Sequence, residues 1–335
     1  MPPSSAPRLL VFNCHEAWVH QLRLLGFPFD VVIQLRGRRV SGWDAAMRPA
    51  PNEARFVKLD QALENHRLRP YGCIITHNLT DLLDTKSFHA PRLFVIHSTL
   101  DHLLIEQNSR TPRDAILSTT SRYLAFLRAY PIAVSALKAR SWQIDAKVVA
   151  FCADPRDYLL PTHETAAGLR ITNDICRKRR TLAWDFHQAT FAHLPVTLVG
   201  RNEEMPGVYP ARDWNHLKGM LSRHRFFIHT ADLQLEDGYN MAMLEAMAAG
   251  LPVLGNCHPT SPIEHGKSGF LSNDPAELRR YAERLLADRQ LAARMGAEAK
   301  RIVTEKFPPE KFKAGMLVAI AEAQRRWTRS ASVSA

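Results

Sequence analysis

The sequence predicts an α/β protein made of two successive lobes, each with a parallel β-sheet. At 335 residues the chain is too long for one ordinary hydrophobic core and suits two domains of about 150 residues each. Short β-rich apolar runs alternate with helical patterns, which is typical of parallel sheets whose strands are joined by helices. Residues 154–167 carry two prolines and no clear periodicity, so we interpret them as an interdomain linker.

The first lobe is predicted to span residues 1–153 and to alternate strands with helices. The predicted strands are Leu9–Phe12, Phe29–Leu35, Ala54–Leu59, Gly72–Thr76, Arg92–His97, Ile132–Val134 and Lys147–Phe151. The predicted helices between them are Glu16–Leu25, Gln61–Arg67, Leu100–Gln107 and Pro112–Ala129. Residues 36–52 carry Gly, Trp and Pro and are predicted to form an irregular surface loop.

The second lobe is predicted to span residues 168–309, followed by a C-terminal helix over 310–327 and a disordered tail over 328–335. One arrangement open to this C-terminal helix is to pack back on the first lobe. The predicted strands are Gly168–Asn173, Val196–Gly200, Arg225–Thr230 and Pro252–Gly255. The predicted helices are Arg180–His193, Trp214–Ser222, Asn240–Ala249, Pro275–Ala287, Leu291–Thr304 and about Pro309–Trp327.

Composition narrows the class of protein. No apolar run approaches the roughly 20 residues of a membrane span, and Leu9–Phe12 is too short for a signal-peptide core, so a cytoplasmic location is expected. The net charge of +11 is dispersed and lacks the aromatic–basic stripe of single-strand binders, so no nucleic acid is expected as a partner. A weak association with an anionic surface, such as the inner face of a membrane, stays open.

The five cysteines form no CxxC pair or even framework. They are expected to be reduced and mostly buried. No two of them share ligand spacing with a histidine pair, and no D-x-D motif is present, so no metal site is predicted.

The most informative segment runs from Leu235 to Gly269. A predicted strand leads into an acidic turn, Glu236-Asp237-Gly238, and then into a helix bounded by Gly250. Gly238 allows the backbone to bend and approach a ligand. The free amides of the first helical turn, Tyr239, Asn240, Met241 and Ala242, form an anion site suited to a diphosphate.

Two carboxylates flank this anion site. Asp237 precedes the helix, and Glu245 lies about two turns into it, so the pair can hold hydroxyl groups on either side of a diphosphate. The alternative is an ordinary capped helix, with Asp237 or Asn240 as N-cap and Glu245 as a surface charge.

The segment D-G-Y-N-M-A-M-L-E-A-M-A-A-G-L-P-V, from Asp237 to Val253, resembles the donor motif of a known family. That family is the retaining glycosyltransferases of the GT-B fold (group 1, family 4 type), whose motif is an acidic residue, seven others, then Glu. The resemblance covers residues 225 to 312 and implies two Rossmann-like lobes that face a central cleft. Asp237 departs from the Glu that the family usually carries, which shortens the reach of the side chain.

The resemblance implies roles for these residues. Asp237 contacts the transferred sugar, Glu245 the ribose, and a cationic clamp neutralises the leaving diphosphate. The candidates for the clamp are Arg177, Lys178 and Arg179, with Lys178 preferred.

Three histidines are candidates in the first lobe, each close behind an apolar strand. His97, in FVIHST, resembles the family's catalytic-site histidine, and His77 is the alternative. Strand carboxyl ends face the ligand crevice in such sheets. His15 follows the first strand, on the acceptor side, without the family's glycine-rich turn.

The sequence therefore predicts a retaining hexosyltransferase that uses a UDP- or GDP-sugar as donor and needs no cofactor. The acceptor is a sugar, a lipid-linked molecule or a protein. Two alternatives stay open: a nucleotide-sugar epimerase or sugar phosphorylase of the same fold, and a non-catalytic basic binding protein.

Overall fold

The computed structural model describes residues 7–35, 37 and 42–331. The chain divides into two compact units. The first unit comprises Met1–Leu104, Asn108–Ala150 and Glu310–Ala335, and the second comprises Ile105–Gln107 and Phe151–Pro309.

The first unit contains a seven-stranded parallel sheet. Its strands are β1 (Leu9–Phe12), β2 (Phe29–Val32), β3 (Ala54–Val57), β4 (Cys73–Thr76), β5 (Arg92–Ile96), β6 (Ala129–Ala133) and β7 (Lys147–Val148). They are ordered β3-β2-β1-β4-β5-β6-β7. The direction of the strand order reverses between β1 and β4, and a ligand crevice lies at the carboxyl ends of strands at such a switch point.

Helices accompany these strands in the first unit. They are α1 (Glu16–Gln21), α2 (Leu59–Leu68), α3 (Leu79–Asp84), α4 (Leu100–Glu106), α5 (Arg113–Phe126), α6 (Ala136–Ser141) and the C-terminal α12 (Pro309–Ala331). A short 3₁₀ helix, Leu22–Leu25, extends α1. β1 is fully buried, because apolar side chains on both faces pack under helices. From α12, Phe312 contacts the Trp18 ring at 6.2 Å between centroids.

The second unit contains a five-stranded parallel sheet. Its strands are β8 (Thr165–Ile171), β9 (Val196–Val199), β10 (His224–Ile228), β11 (Val253–Gly255) and β12 (Gly269–Leu271), ordered β12-β11-β10-β8-β9. The helices are α7 (Trp184–Phe191), α8 (Trp214–Arg223), α9 (Met241–Ala248), α10 (Pro275–Ala287) and α11 (Arg289–Lys306). Here the switch point lies between β8 and β10, so the loop after β10 is the expected ligand loop.

Several predicted elements differ from the structure. The strand predicted at Ile132–Val134 begins at Ala129, where helix Pro112–Ala129 was expected to continue. Arg128 adopts a positive φ of 54°, which ends the helical path and turns the chain into the strand. Helices α3 and α6 and strand β12 were not predicted. No helix among the described residues is long and apolar enough to cross a membrane.

The cysteines also differ from expectation. All five are free, but only Cys73 and Cys152 are buried. Cys14 is half-buried, and Cys176 and Cys257 are exposed. The prediction that most of them are buried was therefore wrong, because three of them follow strand ends or lie in turns rather than in the core. The predicted tail falls partly inside α12, and residues 332–335 lie outside the described residues.

Candidate active site

The loop between β10 and α9 passes very close to a second loop, residues 258–261. A Cβ on Gly238 would lie 2.7 Å from the Ser261 amide nitrogen and 2.8 Å from the His258 Cβ. The Gly238 amide donates to Oγ1 of Thr260 at 2.8 Å. Glycine is therefore required here by close packing between two loops, which fixes the acidic turn against the end of β11.

Helix α9 begins one residue later than predicted. Asn240 is its N-cap, and the Asn240 side chain accepts a hydrogen bond from the Met243 amide at 2.9 Å. The cap therefore uses the third amide of the helix and leaves the Met241 and Ala242 amides at the helix start, where anions bind most readily.

The two carboxylates that flank the helix start, Asp237 and Glu245, are both buried. Asp237 is 1% exposed and Glu245 is 7% exposed. Nearly all of α9 is buried, so Glu245 lies on a helix surrounded by packed side chains. The alternative in which Glu245 is a solvated surface charge is therefore wrong.

Two histidines that were not among the predicted site residues lie beside Asp237. Nε2 of His229 donates to the Asp237 carbonyl oxygen at 3.2 Å. Burial lowers the pKa of His258, and Asp237 opposes that shift by favouring the charged ring. Both residues follow buried strands, β10 and β11. The pattern that indicated His77 and His97, a histidine close behind an apolar strand, is therefore present here as well.

The basic run lies in a turn before α7. Helix α7 starts at Trp184 instead of the predicted Arg180, because Ala183 adopts a left-handed conformation with φ 44°. The three candidate cations are ion-paired within the second unit. Arg177 lies 2.9 Å from Glu106 and 3.4 Å from Asp174. Lys178 lies 3.9 Å and 3.6 Å from the same two carboxylates, and Arg179 pairs with Asp185.

In the first unit, the predicted histidines His77 and His97 lie together. Nδ1 of His77 is 2.8 Å from Nε2 of His97, which is hydrogen-bonding distance. Both rings contact the buried Trp18 edge-on, at centroid distances of 5.0 and 5.3 Å. His15 is exposed at the start of α1, and its side chain makes no cap to that helix.

Burial keeps this histidine pair uncharged. It lowers the pKa of His77 to about 3, and it lowers the pKa of His97 well below the ordinary value. The neighbouring histidine His15 adds to both shifts. At neutral pH the two rings are therefore neutral and suited to hydrogen bonding or to metal ligation.

Comparison with known proteins confirms the resemblance over part of the chain. Residues 202–302 match the family model described as glycosyl transferases group 1. Over 105 residues the chain is 30% identical to glycosyltransferase 1 domain-containing protein 1 of Xenopus tropicalis. Over 84 residues it is 35% identical to N-acetyl-alpha-D-glucosaminyl L-malate synthase of Bacillus anthracis. These alignments span 30% and 22% of the two relatives' lengths, and 30% and 24% of this chain.

Solved structures resemble most of the chain in fold. Anabaena HepE in complex with UDP-glucose aligns with a TM-score of 0.68 at 13% identity and covers 94% of this chain and 100% of its own. Sucrose-phosphate synthase from Thermosynechococcus elongatus aligns with a TM-score of 0.63 at 14% identity, over 98% and 100% of the two chains. The predicted fold class, α/β with the GT-B fold, is confirmed.

Proposed function

We propose that this chain, which combines the GT-B fold with a group 1 glycosyltransferase segment, transfers a sugar from a UDP- or GDP-linked donor to an acceptor. The observation that carries the proposal is the burial of Asp237 and Glu245 on either side of a capped helix start. This arrangement lies within the matched segment, residues 202–302. A buried acidic pair that brackets an anion site is suited to a ligand with hydroxyl groups on both sides of a diphosphate.

In this proposal the donor contacts are divided among a few groups. The Met241 and Ala242 amides bind the diphosphate, Glu245 accepts from the ribose hydroxyls, and Asp237 accepts from the sugar. His229 supports this arrangement because its ring donates to the Asp237 carbonyl and so holds the backbone of the turn.

Lys178, with Arg177 and Arg179 beside it, neutralises the diphosphate as it leaves. Charge builds on the phosphate while the glycosidic bond breaks, so a nearby cation stabilises the transition state more than the bound substrate. In the free protein, Glu106 and Asp174 hold Lys178, and the diphosphate competes with these carboxylates for the ammonium group.

His97, oriented by His77, contacts hydroxyl groups of the transferred sugar. The transfer proceeds with retention of configuration: the acceptor hydroxyl attacks on the face that the diphosphate leaves, and the diphosphate accepts the hydroxyl proton. The bond from the anomeric carbon to the phosphate oxygen breaks as the bond to the acceptor oxygen forms.

A direct test incubates the protein with UDP- and GDP-sugars and a panel of sugar, lipid-linked and peptide acceptors. Transfer releases the free nucleotide in proportion to the product, and NMR of the product reports the anomeric configuration. Glu245→Ala abolishes nucleotide release, whereas the matched control Glu283→Ala, an exposed glutamate on α10, retains it. Wild-type turnover in Glu245→Ala would contradict the site assignment.

The same experiment separates the alternatives. An epimerase converts the donor sugar without an acceptor and releases no nucleotide, and a phosphorylase requires inorganic phosphate. A non-catalytic basic protein binds nucleic acid with a steep salt dependence, whereas a donor site binds the nucleoside diphosphate with little dependence on salt.

A further inference from the structure

Three side chains that can bind metal ions converge at the carboxyl edge of the first sheet. Cys14 is the second residue after β1, His77 the first after β4, and His97 the first after β5. These strands are neighbours in the order β1-β4-β5, so their ends bring the three residues together from distant positions in the sequence.

The distances among the three ligand atoms suit one small cation. Sγ of Cys14 lies 3.9 Å from Nε2 of His97, and this nitrogen lies 2.8 Å from Nδ1 of His77. All three atoms lie within 4.8 Å of one another. Tetrahedral Zn²⁺, with bonds of ~2.0 Å to nitrogen and ~2.3 Å to sulphur, separates two nitrogens by ~3.3 Å and a nitrogen from a sulphur by ~3.6 Å.

The cluster is close to this geometry. The distance from Sγ of Cys14 to Nε2 of His97 fits within a few tenths of an ångström, and the two rings need to move apart by about half an ångström. The ligand atoms of Cys14 and His77 lie within 4.8 Å of each other and need to approach to ~3.6 Å. Nε2 of His77 is buried and has no hydrogen-bond partner among the described residues. Nδ1 of the same ring faces the cluster, 2.8 Å from Nε2 of His97.

The surroundings hold the ligands in place. Trp18, 1% exposed, contacts both histidine rings edge-on and limits their rotation. Ligand side chains that are fixed by packing lose little conformational freedom when an ion binds.

Buried negative charge also favours a cation at this position. The Asp81 carboxylate accepts from the His77 amide at 3.2 Å, and the Glu16 carboxylate accepts from the Asn13 side chain at 3.1 Å. Burial raises the pKa of the Cys14 thiol, and Asp81 and Glu16 raise it further. Both carboxylates therefore create negative potential at the sulphur. Burial lowers the pKa of His97, and the basic groups His77, His15 and Lys138 lower it further.

We propose that Cys14, His77 and His97 bind one Zn²⁺ ion per chain, with a fourth coordination position left open. One thiolate and two imidazoles are ligands that Zn²⁺ prefers, and three protein ligands with an open position are typical of accessible zinc sites. Binding releases the Cys14 proton, so the thiolate carries one negative charge against the two positive charges of the ion.

Cobalt substitution tests the ligand set directly. The chelator-treated full chain, carrying Cys176→Ser and Cys257→Ser to remove exposed thiols, is titrated with Co²⁺ and followed by absorption spectroscopy. One equivalent produces a thiolate-to-cobalt charge-transfer band together with the visible bands of a tetrahedral site, and Zn²⁺ displaces both. Absence of a thiolate band at stoichiometric Co²⁺ would overturn the proposal without requiring any further variant.

Variants then assign the ligands. Cys14→Ser removes the charge-transfer band and His97→Asn weakens binding at least tenfold, whereas the buried control Cys73→Ala retains one bound ion. Circular dichroism checks that each variant is folded. A band that persists in Cys14→Ser overturns the assignment. Because these readouts measure binding and not transfer, they remain informative whether or not the proposed function holds.

Discussion

Gly238 packs against His258 so closely that a Cβ added to residue 238 would lie 2.8 Å from both the Cβ and the Nδ1 of His258. The loop that carries Asp237 is thus held against the loop after β11 by the absence of a side chain. This contact links the packing of the second unit to the position of its acidic turn.

The first prediction concerns Gly238→Ala. The added methyl group forces the two loops apart, because one of its close neighbours is the backbone nitrogen of Ser261 at 2.7 Å. We expect the affinity for the donor nucleotide to fall at least tenfold and the unfolding free energy to fall by about 1–3 kcal/mol, the usual cost of overpacking. Titration calorimetry and urea unfolding measure the two effects.

Gly219→Ala is the matched control. Gly219 lies in α8, and the nearest atom to an added Cβ is 3.8 Å away, at ordinary contact distance. Because alanine favours the helix over glycine by about 1 kcal/mol, this variant is expected to be as stable as the parent or more so, with unchanged nucleotide affinity. Equal losses in both variants would show that the effect of Gly238→Ala is unrelated to the close packing.

The second prediction concerns Arg92, which is 2% exposed. Its guanidinium donates to the carbonyl oxygens of Thr85 and Ala90 at 2.9 Å and to the Thr85 hydroxyl at 2.8 Å. Arg92→Met leaves these acceptors buried without a donor, so we expect a loss of about 3 kcal/mol or more of unfolding free energy.

Arg92→Lys is expected to rescue little of this loss, because an ammonium cannot reproduce the planar set of donors. Urea unfolding of both variants, with the exposed Arg67→Met as control, measures the effect. Full stability in Arg92→Lys would contradict the role of the guanidinium geometry.

The third prediction concerns pH and His187. The His187 ring stacks on Trp184 at 4.3 Å, and burial, with a smaller effect from Arg170, lowers its pKa to about 2. In the unfolded chain a histidine titrates near 6.5. As pH falls from 6.5 toward 2, the unfolded state therefore binds one more proton than the folded state. The unfolding free energy then falls by about 1.4 kcal/mol for each unit by which the pH falls.

His187→Phe preserves the stacking on Trp184 and removes the titrating group. We expect the unfolding free energy of the wild type to fall by about 2 kcal/mol more than that of the variant between pH 7 and pH 5. Urea unfolding at both pH values measures the difference. Identical pH dependence in the two proteins would show that His187 does not resist protonation in the folded state.

The fourth prediction concerns Lys178. If the ammonium group stabilises the leaving diphosphate, Lys178→Met lowers kcat by about a hundredfold, while the affinity for the nucleotide changes much less. The control is Lys267→Met, which removes an exposed lysine 3.5 Å from Glu264 in the same unit. Steady-state kinetics with saturating acceptor separates kcat from KM. An unchanged kcat in Lys178→Met would exclude this residue from the clamp.

Much of the fold could be predicted because local sequence patterns, such as helix caps and apolar strands, agree with the elements in the structure. Helix α10 has the predicted bounds, since Asp274 caps it and Pro275 occupies its first turn. Helices α3 and α6 were missed because six residues are too few to show a helical period, and only their caps, Asn78 and Ser135, mark them. Strand β12 has three residues and starts with glycine, which weakens any strand pattern.

Some parts of the candidate site could be predicted from the sequence and others could not, and the difference has a physical reason. Asp237, Gly238 and Glu245 lie within one short segment, so their relation is visible in the sequence. The proximity of Cys14 to His97 depends on the order of strands in the sheet, and no local pattern reports contacts across 83 residues. Similarly, the ion pair of Arg177 with Glu106 joins residues 71 positions apart.

The most direct test of the donor site is titration calorimetry of the full chain with UDP and with GDP. The account predicts that one of the two nucleotides binds at one site per chain, and that salt changes the affinity little. Glu245→Gln, which keeps the size of the buried side chain and removes its charge, lowers that affinity at least tenfold, and the exposed control Glu283→Gln leaves it unchanged. Wild-type affinity in a folded Glu245→Gln protein, or the absence of binding of either nucleotide to the wild type, would contradict the account.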